Sequence, residues 1–234
     1  GLTRLAAGIK STGAGAAIQL FHPGRQMHPK YTGNSLVAPS AIPCPVMKAV
    51  PSVLSGTEIR QLVADFVAGA VRAKQVGFDA VEIHAAHGYL GAQFLSPLSN
   101  NRTDAYGGNS ERRARFVLEI GSGIREAVGD DFPVLLRFSA DEKLEGGLTL
   151  DVARRLVPLF ERAGFSALHV SAGCYSSMEW IVQPYLQEYA CLGDLARAIR
   201  QESDLPVIAV GRIVDLDAAE RLLQDGSADL VSMG

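Results

Sequence analysis

An α/β barrel is the fold class this sequence predicts, and three observations predict it. One unit recurs: an amphipathic helix, a glycine, then a short apolar strand, in GAGAAIQLF, GFDAVEIHA, GFSALHVSA and GSADLVSMG. Alternating helix and strand implies parallel strands joined by helical crossovers, with glycine supplying the left-handed residue at each helix end. The period varies, so the pattern is not a solenoid array. Second, no strand opens into a GxGxxG helix, so the dinucleotide-binding fingerprint is absent. That favours a (β/α) barrel over a doubly wound sheet, while an α/β sandwich stays open. Third, 234 residues with 47% hydrophobic and 20% charged content fit one well-packed barrel domain.

Taken in order, Leu2, Leu5, Ala6 and Ile9 stand at helical spacing and Gly13 ends the run. A strand over 16–21 and a turn at His22–Arg25 follow. Residues 30–52 hold Pro39, Pro43, Pro45 and Pro51 without periodicity, which predicts a long surface loop. Ser55 and Glu58 form a capping box. The helix they open turns Ile59, Leu62, Val63, Phe66 and Ala70 to one side, and Gly77 ends it before a strand at 80–84. Ser110 caps a helix over 111–127, and a strand at 134–138 follows. Thr149 opens a helix over 150–163, in which Pro158 predicts a kink or an early end. Strand 167–171, a helix near 191–201, strand 207–211, a helix over 216–224 capped by Asp215, and strand 229–233 complete six strands.

Composition excludes several function classes. Net charge is −3 and the arginines are scattered, so there is no nucleic-acid footprint. No apolar run approaches the roughly 18 residues of a membrane span, and the opening GLTRLAAGIK lacks the pattern of a secretory signal. Cys44, Cys174 and Cys191 are far apart and form no CxxC, which argues against a disulfide framework or a metal cluster and points to a reducing, cytoplasmic setting.

In a parallel barrel the working face lies at the C-terminal strand ends. There the sequence places Gln19, His22, His84, His87, Tyr89, Arg137, Ser139, His169, Ser171, Gly211, Arg212, Ser232 and Gly234, while His28 falls in a loop. No lysine sits on a strand, which disfavours Schiff-base chemistry. No acidic pair is available for Mg²⁺, since Glu82 is alone at mid-strand. His84 and His87 without a third ligand make no metal site. The remaining donors suit a ring or carbonyl on which negative charge grows during reaction. Blander roles stand beside these. His22, next to Pro23 and Gly24, reads first as a turn-fixing residue, and His169 reads equally as a core residue. Arg102, Asp104 and Tyr106 read as a self-bonded brace, and Arg112, Arg113 and Arg115 as a solvated helix face.

The runs IQLFHPGR (18–25), EIHAAHGYLGAQFLSPLSNNRTDAYGGNSERRARF (82–116), VLLRFS (134–139), LHVSAG (168–173) and VIAVGRI (207–213) together resemble the old yellow enzyme family of FMN-dependent NADH:flavin oxidoreductases. More narrowly they resemble its 2,4-dienoyl-CoA reductase and 2-enoate reductase branch. The resemblance implies an eight-stranded TIM barrel holding FMN, of which this chain would supply strands three to eight. Residues 1–234 then read as one FMN-binding domain lacking the first two strands and the final helix. The Fe–S cluster and FAD region of that branch would belong to a longer parent.

The resemblance also implies roles. Gln19 would meet the flavin pyrimidine edge, and Arg137 the N1/O2 locus where reduction builds negative charge. Gly211, Arg212 and Gly234 would hold the phosphate. His84 and His87 would polarise a substrate carbonyl, and Tyr89 would protonate the α-carbon. Some relatives carry a histidine after the sixth strand of the barrel, where this chain has Glu179 in CYSSMEW. The implied reaction is reduction of an activated C=C bond in an enone, enoate or dienoyl thioester, with NAD(P)H as electron donor. The alternative is a non-catalytic fragment that does not retain flavin, its open strand edges favouring homo-oligomers. A flavin-free lyase or isomerase using His84 and Tyr89 is a third reading.

Overall fold

The alternation of helices and short apolar runs places eight strands and seven α-helices among the described residues, which are all except 28, 29, 31, 32 and 34 in this computed structural model. His28 therefore lies outside the described residues. The strands are β1 (Ala17–Leu20), β2 (Val37–Ala38), β3 (Ser52–Val53), β4 (Ala80–Ala85), β5 (Val134–Asp141), β6 (Ala167–Ala172), β7 (Val207–Ala209) and β8 (Leu230–Val231). The helices are α1 (Leu2–Lys10), α2 (Gly56–Gln75), α3 (Leu90–Leu95), α4 (Ser110–Val128), α5 (Leu150–Arg162), α6 (Gly193–Arg200) and α7 (Leu216–Gln224).

Six strands form one parallel sheet in the order β1-β4-β5-β6-β7-β8. Strands paired in sequence order with helical crossovers make a half-barrel. Register fixes which side chains share a face. Val81, Ile83, Val134, Leu136, Phe138, Leu168 and Val170 face the helices and are buried in the main core. The alternate residues line the concave side: Gln19 pairs with Glu82, His84 with Arg137, and Arg137 with His169. One face thus carries the apolar core and the other collects polar groups. On the helical side α2 and α4 meet through Phe66 and Phe116 edge to face, and Phe116 stacks on Phe94 of α3 at 4.4 Å.

Several sequence expectations need correction. The proline-rich stretch is not wholly a surface loop: β2 and β3 pair in parallel within it, and Leu36, Ala38, Ser40 and Cys44 are buried. Asn109 rather than Ser110 caps α4, its side chain accepting the Arg112 N–H at 2.9 Å. Pro158 neither shortens nor ends α5, which runs on to Arg162. It sits on the solvent side, so the hydrogen bond its ring removes is lost where water can replace it. β7 and β8 are shorter than expected. β5 is longer, with an irregularity between Ser139 and Asp141. The Ser55–Glu58 capping box and the Asp215 cap are present as expected.

Candidate active site

The concave ends of β4, β5 and β6 carry the densest polar cluster. After β4 the chain turns through His87 and Gly88, both at positive φ (60° and 76°), a conformation costly for a non-glycine residue. Neighbours hold it there. Ser139 Oγ accepts the His87 N–H at 3.0 Å, and Gln26 Nε2 donates to the His87 carbonyl at 2.9 Å. Gln93, fully buried on α3, donates to the Gly88 carbonyl at 2.7 Å and to that of Pro23 at 3.2 Å, and accepts the Arg25 N–H. These bonds tie the loops after β1 and β4 into one rim. The sequence reading missed Gln26 as a brace; its signal was only a glutamine shortly after the HPGR turn.

His84 and His87 are buried with ring centroids 5.0 Å apart. Burial, then the charge of Arg137, pushes the His84 pKa down to about 4. Burial, then His84, takes His87 to about 3. Both rings are neutral at pH 7. The Ala86 N–H donates to His84 Nδ1 at 3.1 Å, so the proton of the neutral ring sits on Nε2. His84 therefore presents an Nε2–H donor. His87 Nε2 meets Ser171 Oγ at 2.8 Å. The Tyr89 ring stands edge to face on His84, and its hydroxyl lies 3.4 Å from that of Tyr175. Burial, then Tyr89, raises the Tyr175 pKa to about 12.

Below this group lies a second row. Gln19 Nε2 donates to Glu82 Oε1 at 2.6 Å, and His169 Nδ1 lies 2.7 Å from Glu82 Oε2. Burial opposes the Glu82 charge, but the bonds from His169 and Gln19 and the charge of Arg137 prevail and lower its pKa. Among the described residues Arg137 has no hydrogen-bond or ion-pair partner, and its Nε is buried without an acceptor; His169 Nε2 is buried and likewise unpartnered. Burial lowers the Arg137 pKa while Glu82 opposes the change, and a guanidinium remains protonated there.

The other candidates fall outside this cluster or act as braces. His22 Nδ1 accepts the Gly24 N–H at 3.0 Å, the turn-fixing role. Gly211 and Arg212 have positive φ (113° and 51°) at the end of β7. Arg212 Nη1 donates to the Gln187 carbonyl and its guanidinium lies over the Tyr189 ring. Gly234 is exposed at the last residue, and Glu179 is exposed in the segment after β6. Arg102 grips Asp104 with Nε and Nη2 and donates through Nη1 to the Pro39 and Leu54 carbonyls, which is the expected brace. Arg113 departs from a solvated face: it donates to the Leu95 and Gly108 carbonyls.

The sequence model of the NADH:flavin oxidoreductase / NADH oxidase family matches residues 1–234. The chain belongs to that family. Within it, an NADH oxidase of Thermoanaerobacter brockii is 45% identical over the whole of this chain, which covers 36% of that protein. An NADPH dehydrogenase of Clostridium acetobutylicum is 39% identical, and the chain covers 67% of it. Among solved structures, 2-naphthoyl-CoA reductase with 2-naphthoyl-CoA superposes with a TM-score of 0.93 at 30% identity, over 99% of this chain and 37% of that one. Morphinone reductase with tetrahydroNAD gives 0.82 at 30% identity, over 100% of this chain and 65% of the other. The chain thus spans little more than a third of its longer relatives. The family's barrel is the architecture the half-barrel belongs to. No helix among the described residues is long and apolar enough to cross a membrane.

Proposed function

We propose that the concave face is the FMN site of an oxidoreductase that reduces an activated C=C bond in an enone, enoate or dienoyl thioester. NAD(P)H is the electron donor. The observation that carries this reading is Arg137, a half-buried side chain whose buried Nε has no acceptor among the described residues, beside two histidines held neutral. Leaving a buried N–H donor without an acceptor is costly, so the site fits a ligand with an electron-rich edge. The Gln19 amide and the unpartnered His169 Nε2 add hydrogen-bonding capacity suited to a heterocycle. Gly211 and Arg212 would meet the phosphate chiefly through backbone N–H groups, because one Arg212 nitrogen is already taken by Gln187. Bound FMN supplies hydride acceptance from a nicotinamide and hydride delivery to an electron-poor carbon.

The residues of this chain do the rest. His84 Nε2–H donates to a carbonyl oxygen without transferring its proton, since the ring is already neutral. His87 borders the same position and is kept in place by Ser139 and Ser171. Tyr89 gives its phenolic proton to the carbon next to the carbonyl, with Tyr175 near enough to adjust the hydroxyl. Arg137 holds negative charge on the pyrimidine side of the ring.

Mixing the chain with FMN, removing free flavin, and following anaerobic reduction by NAD(P)H and reoxidation by an enone tests this. Retained flavin that is reduced by NAD(P)H and reoxidised by the enone is the expected result. Retained flavin that ignores the enone would sink the proposed substrate class. One observation favours a second reading: among the described residues β1 and β8 each pair along one edge only, and Gln19, Phe21 and Leu230 are exposed. On that reading this half-barrel alone does not retain flavin, and the same experiment returns colourless protein.

A further inference from the structure

We propose that Glu82 is a positioning residue that sets both the orientation of Gln19 and His169 and the charge balance at Arg137, and so holds the flavin potential down; this rests on the FMN reading. The geometry is specific. Glu82 occupies the concave face of β4, two residues before His84 on the same side of the strand. Both its oxygens are engaged, one with Gln19 Nε2 at 2.6 Å and the other with His169 Nδ1 at 2.7 Å. A carboxylate can only accept, so Gln19 must turn an N–H toward Glu82 and leave its own Oε1 free. His169 must carry its proton on Nδ1. One acidic side chain thereby fixes the hydrogen-bonding sense of two neighbours on β1 and β6.

Its charge matters separately. Glu82 and Arg137 stand on neighbouring strands of the concave face, Glu82 opposite Leu135 and Arg137 opposite His84. They lie beyond ion-pair distance, yet Glu82 raises the Arg137 pKa and Arg137 lowers that of Glu82. Removing the carboxylate leaves Arg137 uncompensated, and an uncompensated cation favours the more negative, reduced state of a ring beside it. At the effective dielectric of a protein interior, one charge a few ångström away is enough for about a tenfold change in relative affinity. Arg137 alone would make the site a stronger oxidant; Glu82 opposes that.

Two variants separate charge from geometry. Glu82→Gln keeps length and removes charge, and Glu82→Asp keeps charge and shortens the reach. Ring ¹⁵N NMR of His169, which needs no flavin, should show Nδ1 protonated in the wild-type chain and that bond lost in Glu82→Asp, whose shorter reach leaves His169. With FMN bound, Glu82→Gln should favour the reduced form about tenfold, a rise in midpoint potential of about 30 mV for a two-electron couple. Glu82→Asp should move it much less. A wild-type His169 with bare Nδ1 would overturn the positioning role. An unchanged potential in Glu82→Gln, or equal shifts in the two variants, would overturn the charge role. A wild-type chain that holds no FMN refutes the flavin reading and with it the claim on the potential, while the NMR comparison still decides whether Glu82 positions His169.

Discussion

The rings of His84 and Tyr89 meet edge to face, with centroids 4.9 Å apart and planes at 85°. His84 brings an Nε2–H donor to this corner and Tyr89 a phenol. On the proposed reading, a carbonyl bound by the imidazole would have its neighbouring carbon near the hydroxyl. Tyr89→Phe should slow substrate reduction by about 100-fold or more, the usual scale for a lost general acid, and leave flavin reduction by NAD(P)H nearly unchanged. Stopped-flow rates for the two half-reactions check this. Equal slowing of both would remove Tyr89 as the proton donor.

The two histidines make stability depend on pH. In the fold they stay neutral down to about 4 and 3, whereas an unfolded histidine titrates near 6.5. Between these values the unfolded chain binds more protons, so stability falls as pH drops below about 6.5 and levels off below the folded values. Each histidine adds a slope of about 1.4 kcal/mol per pH unit at most. Urea unfolding at pH 7, 6 and 5 should show this, and His87→Gln should remove one histidine's share. An unaltered slope in the variant would contradict the assignment.

Arg102 ties the 100–108 segment to the β2 and β3 region through the carbonyls of Pro39 and Leu54. Its bond to Asp104 also holds that carboxyl below the usual range. Arg102→Ala should cost about 2 kcal/mol, the scale of charged hydrogen bonds lost from a partly buried site. Chemical denaturation measures it. Because the segment lies away from the His84–Arg137 row, the loss should be in stability more than in ligand binding.

Gly211 adopts φ 113°, and a Cβ there would lie 2.6 Å from Leu192 Cγ. Gly211→Ala should destabilise by about 1–3 kcal/mol through backbone strain and crowding. A shift in the thermal midpoint with unchanged secondary structure is the expected signature.

Much of the fold was legible because helix ends and strands carry local signals. Gly77 and Gly164 end helices just before buried runs, and Ser55 and Asp215 cap where their side chains can reach an N–H. The β2–β3 pair was not legible, since two-residue strands among prolines have no periodicity. α3 was hidden too, because LGAQFL is buried on every side and so lacks an amphipathic pattern. In the site, the family motif drew attention to His84, His87, Tyr89 and Arg137. Glu82 read as a lone mid-strand acid because its partners, Gln19 and His169, are 63 and 87 residues away. Pairing across parallel strands depends on register, which a single sequence does not display.

The central claim is that the unpartnered Arg137 guanidinium anchors FMN on the concave face. A visible-absorbance titration of FMN into the wild-type chain and into Arg137→Met tests it most directly. The account predicts one FMN per wild-type chain and binding at least about tenfold weaker in the variant, the scale of one lost charge-assisted hydrogen bond. Equal affinity in both proteins, or no flavin retained by the wild type, would contradict it.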